Sequence, residues 1–134
     1  MIKFFIGFFG WLGFIRLEVG RNYQLIEVEK ERPNYLHSFG FRAFFAIACL
    51  ALMAQNFDPF VEWKRSLPFV IYEVTSFYLA FDFLLNKRRG KAWDYQGSQS
   101  GWLDSLGKEY YYYLKILCAI LFVCSVFFIF RYMV

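Results

Sequence analysis

The stretch YYYYLKILCAILFVCSVFFIFRYM, residues 110–133, decides the fold. Its only charges are Lys115 near the start and Arg131 near the end, and it exceeds the roughly 20 residues a helix needs to cross a hydrocarbon core. Working back along the chain, the run from Leu67 to Leu85 meets nearly the same length. Ser66 and Pro68 mark a helix start there, and Asn86-Lys87-Arg88-Arg89 mark its end. A third run, Phe39 to Ala54, reaches a full span if its helix begins near Asn34, just after Pro33. His37 and Arg42 then lie at one membrane surface, where Arg42 keeps its head wet and its stem apolar.

The first apolar run, Phe4 to Ile15, is too short to cross unless flanking residues are drawn in. It either crosses as a short tilted helix or lies in the interface. It resembles a signal sequence but lacks a small-x-small cleavage pattern, since Arg16, Leu17 and Glu18 follow directly, so it is expected to be retained. Gly7, Gly10 and Gly13 fall along one slowly drifting helix face. They provide a close-packing surface for another helix, or they are helix-weakening glycines in a loosely held segment. The expectation is a single all-α, polytopic helical membrane domain with helices at about 2–16, 35–56, 67–86 and 103–133. Between them lie wet segments at about 17–34 and 87–104, and Asp58-Pro59 opens a short turn or helix through Trp63.

Composition agrees. Of the 134 residues 59% are hydrophobic and 25% aromatic, against roughly half apolar for a soluble domain, so the excess calls for a bilayer. The net charge of +4 attracts anions. Its distribution favours a membrane: with the segments after the first and third runs inside, eleven basic residues lie there (Arg16, Arg21, Lys30, Arg32, Arg42, Lys87, Arg88, Arg89, Lys91, Lys108 and Lys115). Four, Lys3, Lys64, Arg65 and Arg131, lie outside, which matches the positive-inside rule for four crossings. Cys49, Cys118 and Cys124 sit inside apolar runs without disulfide or zinc spacing and read as packed or lipid-facing thiols.

Candidate sites are few. Glu73 falls inside a span, where an ionised carboxylate costs a few kcal/mol, so it faces the bundle or is protonated in place. Gln55 is its expected intramembrane partner, with Thr75 and Ser76 nearby; the residue is interhelical glue or a proton or cation site. Asp82, Asn86 and Arg89, four and seven residues apart, share a helix face and are expected to form a clasp in which Arg89 pairs with Asp82. Lys87, Arg88, Lys91, Trp93 and Trp102 suit an anionic headgroup layer; the abutting span favours lipid over nucleic acid as their partner. Ser100 or Asp104 is placed to cap the last helix, and Tyr110 to Tyr113 fit an aromatic belt. A lone His37, with no paired metal ligand, no nucleophile elbow and no phosphate loop, argues for a non-enzymatic protein without metal or cofactor.

The pattern Phe81-Asp82, Leu85-Asn86, Arg89-Gly90, Trp93, Tyr95, Gly97 and Ser100 to Asp104 resembles one in short, uncharacterised membrane proteins of phages and mobile elements of Bacteroidetes-type bacteria. The resemblance implies placement between two spans and carries no established activity. It suggests a phage or mobile-element origin. Small size, several spans, the glycine face of the first run and the lack of a catalytic set then lead to the expectation of a protein that self-associates in the host cytoplasmic membrane as a holin-like pore or membrane organiser. The alternatives are a structural protein in the internal membrane of a virion, with other membrane or capsid proteins as partners, and a small proton or ion transporter using Glu73.

Overall fold

The computed structural model describes residues 2–30, 35–54, 57–59, 61–93, 95 and 108–133. They form four long helices: α1 (Ile2–Tyr23), α2 (Tyr35–Met53), α3 (Trp63–Arg88) and α4 (Lys108–Met133). A π-helical stretch, Gln24–Glu29, extends α1 without a break. Two of the four, α3 and α4, are long and apolar enough to cross a membrane.

The first helix is the main departure from expectation. It was expected to end at the first polar cluster, near residue 16, and instead continues to Tyr23. The reason is visible in its buried face: Phe4, Gly7, Trp11, Phe14, Glu18 and Asn22 recur every three or four residues, so the polar pair continues the stripe that the apolar residues begin. The extension ends at Lys30, which adopts a left-handed conformation (φ 58°, ψ 23°) and donates its N–H to the carbonyl of Leu25.

α3 also starts earlier than expected, at Trp63, with Pro68 inside its second turn. A proline this close to the N-terminus withdraws one hydrogen bond, from the carbonyl of Lys64, and the helix tolerates it. Ser66 secures the turn by donating its hydroxyl to the carbonyl of Pro59 at 2.6 Å. At the other end, Gly90 (φ 66°) donates to Lys87 and Lys91 donates to Asn86, the paired bonds of a Schellman cap that only a left-handed residue closes cheaply.

Contacts fix the directions. α1 and α2 are antiparallel: Phe14 stacks on Phe45 with ring centroids 4.4 Å apart, and Gly7 meets the Cys49–Met53 end. α1 and α3 are parallel along their whole length, from Phe4 on Phe69, through Phe8 stacked on Tyr72 at 4.4 Å, to Tyr23 beneath Arg88 at 4.7 Å. α3 and α4 are antiparallel, joined by Tyr72 with Phe122 and Tyr78 with Tyr111. The core therefore lies among α1, α2 and α3, while α4 leans on α3 and sends Ile129 inward.

The glycines settle unevenly. A Cβ on Gly7 would lie 2.7 Å from the carbonyl oxygen of Cys49 and 2.9 Å from Met53, so this position is a true helix contact. Gly10 would only touch Cys49, at 4.0 Å, and Gly13 faces open space. The close approach is made within one chain, to α2.

Candidate functional site

Three ionic clusters gather at the end of the bundle where α3 finishes. The first is built on Glu18, whose side chain is 2% exposed. It receives Arg42 of α2 and Arg21 of its own helix, each at 3.1 Å. The guanidinium of Arg42 also lies over the rings of Phe77 and Phe81, at 4.8 and 5.2 Å, so one side chain ties α2 to both α1 and α3. Arg21 completes the cluster by donating to Ser38.

The second cluster joins α3 to α4. Asp82 accepts from the ammonium of Lys115 at 2.6 Å and from the hydroxyl of Tyr111 at 2.7 Å. Lys115, almost fully enclosed, also donates to the carbonyl of Trp93 at 3.0 Å and lies against the rings of Trp93 and Tyr111. Lys115 thus faces inward, where the chain's hydropathy alone read it as a charge at the edge of a span.

The third cluster is more exposed. Arg89 pairs with Glu27 of the π-helical stretch at 2.6 Å, and Lys30 approaches the same carboxylate at 3.4 Å. The hydrogen bond from Arg89 is the main reason the Glu27 carboxyl is held below its ordinary range, against an opposing effect of burial.

This arrangement corrects the expected clasp. Asp82 and Asn86 keep a long contact of 3.5 Å, but Arg89 turns away to Glu27, and Asn86 instead donates to the carbonyl of Tyr95 at 3.0 Å. The geometry explains the exchange: Arg89 is the capping residue (φ −82°, ψ 0°), past the helical face that carries Asp82, and α4 already covers Asp82. Glu27, within the wet segment expected at about 17–34, becomes the partner.

The remaining candidates are placed as follows. Glu73, on α3, is 4% exposed, and its Oε1 has no hydrogen-bond partner among the described residues. Thr75 and Ser76 donate to carbonyls of their own helix, at Ile71 and Tyr72, so neither serves that oxygen. The backbone carbonyl of Glu73 and the hydroxyl of Ser76 share the indole N–H of Trp11, at 3.1 and 3.0 Å. Lys87, Arg88, Lys91 and Trp93 are exposed at the ionic end; Lys91 and Arg89 both approach the ring of Tyr95. Gln55, Trp102, Ser100, Asp104 and the side chain of His37 lie outside the described residues.

Glu18, Arg42, Tyr111, Lys115 and Glu27 are the residues that sequence reasoning missed as a site. One signal was available: Glu18 stands seven residues after Trp11 and four after Phe14, in register with the apolar stripe. Chemically the clusters hold helices together and set charge. Among the described residues no group of His, Cys, Asp and Glu side chains is arranged to hold a metal ion. Comparison with family models, curated proteins and solved structures finds no match to this chain.

Proposed function

We propose that the chain is a multi-pass membrane protein with four crossings, acting as a self-associating membrane organiser or holin-like component, with the ionic end in the cytoplasm. The observation that carries this reading is α4. It presents large apolar side chains along one side, including Tyr113, Ile120, Val123 and Phe127, while its other side packs against α3 and Phe130 meets Phe4 and Phe8 of α1. Such a surface is at home in lipid or against another copy. The parallel register of α1 with α3 supports a crossing for α1 as well, because the two helices keep level over the same length. The resemblance of residues 81–104 supports a phage or mobile-element origin, in a host membrane or in that of a lipid-containing virion.

Self-association falls to α4, since Gly7 is already occupied by α2. The test is oxidative crosslinking in native membranes of Val123→Cys, in a background with Cys118 and Cys124 replaced by Ser. Dimers at Val123, and none from a cysteine at buried Phe69, are expected; monomers throughout would refute self-association. For topology, a cysteine at Lys91 is expected to be shielded from an impermeant thiol reagent in intact cells, and one at Asp58 labelled.

A second reading, a proton or cation site, is favoured by the Oε1 of Glu73, which has no hydrogen-bond partner among the described residues. Glu73→Gln conserves shape and removes the ionisable proton. Loss of proton flux in proteoliposomes, with crosslinking unchanged, would support it.

A further inference from the structure

The end of the bundle opposite the ionic clusters carries a half-open groove of about 710 Å³. Its walls come from three helices and a connector: Met53 at the end of α2, Phe57 just beyond it, Pro68 on α3, and Leu121 and Phe128 on α4. Lys64 and Arg65 stand among the lining residues, in the first turn of α3. The volume lies within the range of small-molecule sites, and the walls are apolar while the mouth is cationic.

The two cations differ. Arg65 is partly neutralised by Glu62 at 2.8 Å. Lys64 has the indole of Trp63 at 5.8 Å and no acidic partner among the described residues. A positive charge with no acidic partner among the described residues therefore lines a hollow suited to a hydrocarbon chain. Trp63, itself exposed, marks the level of a headgroup layer.

We propose that this groove binds an anionic phospholipid, with one acyl chain against Phe57, Leu121 and Phe128 and its phosphodiester held by Lys64, with Arg65 as a second donor. The inference rests on the membrane reading above. Charge decides the headgroup. A lipid with net negative charge satisfies Lys64, whereas a choline or ethanolamine headgroup brings a second cation to the same mouth. Glu62 stays with Arg65 and keeps the site selective for one phosphate rather than for polyanions.

The experiment is native mass spectrometry of the full chain, delipidated in neutral detergent and titrated separately with phosphatidylglycerol, phosphatidylcholine and glycerol phosphate. Wild type is expected to retain one phosphatidylglycerol, to bind phosphatidylcholine at least about fivefold more weakly, and to ignore glycerol phosphate. The double variant Lys64→Gln, Arg65→Gln is expected to lose that preference. Leu121→Trp, which fills the hollow, is expected to lower retention of both lipids. Arg16→Gln, on the outward face of α1 and outside the groove, is expected to behave as wild type. Equal binding of the two lipids by wild type would overturn the proposal. So would loss of preference in the Arg16 variant alone, or a lipid-free dimer whose contact is abolished by Leu121→Trp. Alkaline extraction of cell membranes separates the two ideas. Release of the protein by carbonate sinks the membrane reading itself, and retention with equal lipid binding sinks only the groove.

Discussion

Replacing Lys115 by Met takes an ammonium out of an enclosed site and leaves Asp82 facing α4 with, among the described residues, the Tyr111 hydroxyl and a long contact to Asn86. Lys115 is 9% exposed and Asp82 24%, so the carboxylate has limited access to water and its charge is poorly compensated. Breaking a buried pair from one side costs about 3–5 kcal/mol; the residual exposure of Asp82 and its Tyr111 bond put this case near the lower figure, about 3 kcal/mol. Asp82→Asn removes the other charge, leaving Lys115 with the Trp93 carbonyl and two ring faces, and is expected to cost about as much. In the double variant neither charge is left alone. Its loss should therefore fall short of the sum of the singles by about 2–3 kcal/mol. Equilibrium unfolding in mixed micelles, followed through tryptophan fluorescence, measures the cycle. A double variant as destabilised as the sum would refute the pairing. A larger coupling between Asp82 and Arg89 than between Asp82 and Lys115 would restore the clasp that helix spacing suggests.

Gly7→Ala forces a Cβ against the Cys49 carbonyl and is expected to cost about 1–3 kcal/mol, whereas Gly13→Ala meets nothing and is expected to stabilise the helix by about 0.5–1 kcal/mol; the same unfolding assay ranks them. Gly90→Ala places a side chain at φ 66° and is expected to cost about 1–2 kcal/mol, seen as faster proteolysis after α3 in inside-out vesicles. The Glu27 carboxyl is held below its ordinary value of 4.5, so the tie it makes to Arg89 is fully present above that value and is lost as the pH falls through the lowered one. Amide exchange across Gln24–Glu29, corrected for its intrinsic pH dependence, should therefore lose protection only in acid below pH 4.5, and Glu27→Gln should abolish that dependence.

Length and hydropathy made α3 and α4 readable, because a long apolar run needs no knowledge of its neighbours. The all-helical architecture followed from the same runs. α1 was cut short because Arg16 and Glu18 were read by their charge, as the edge of an apolar segment, instead of by their phase. Arg16 points outward and Glu18 inward, and the position of Glu18 on the stripe of Phe4, Trp11 and Phe14 distinguishes the two. What phase could not supply was the partner. Arg42 lies on another helix, and its pairing with Glu18 depends on how α2 returns along α1. Asp82 shows the same limit from the other side. Spacing of four and seven residues offers Asn86 and Arg89, but a side chain on a packed helix meets its neighbours across the interface first, and Lys115 arrives from α4. The glycine series meets another helix closely only at Gly7, because each three-residue step falls about 60° short of a full turn and carries Gly13 off the face that α2 covers.

The parallel pairing of α1 with α3 imposes an order on how the chain comes together during synthesis. α1 and α2 are neighbours in sequence and close the Glu18–Arg42 bond between themselves as soon as both exist. The indole N–H of Trp11, however, finds its acceptors only on α3, at Glu73 and Ser76, and Phe8 waits for Tyr72. A nascent hairpin of α1 and α2 is therefore tied by ion pairs at one end, while the Trp11 indole in its middle lacks these acceptors until the third helix emerges. α4 comes last, and its Lys115 has no acid to meet until Asp82 is already seated. Domains fold in the order in which they leave the ribosome. Here the same rule acts helix by helix, with Trp11 as an early donor that holds a place open for a helix made more than fifty residues later.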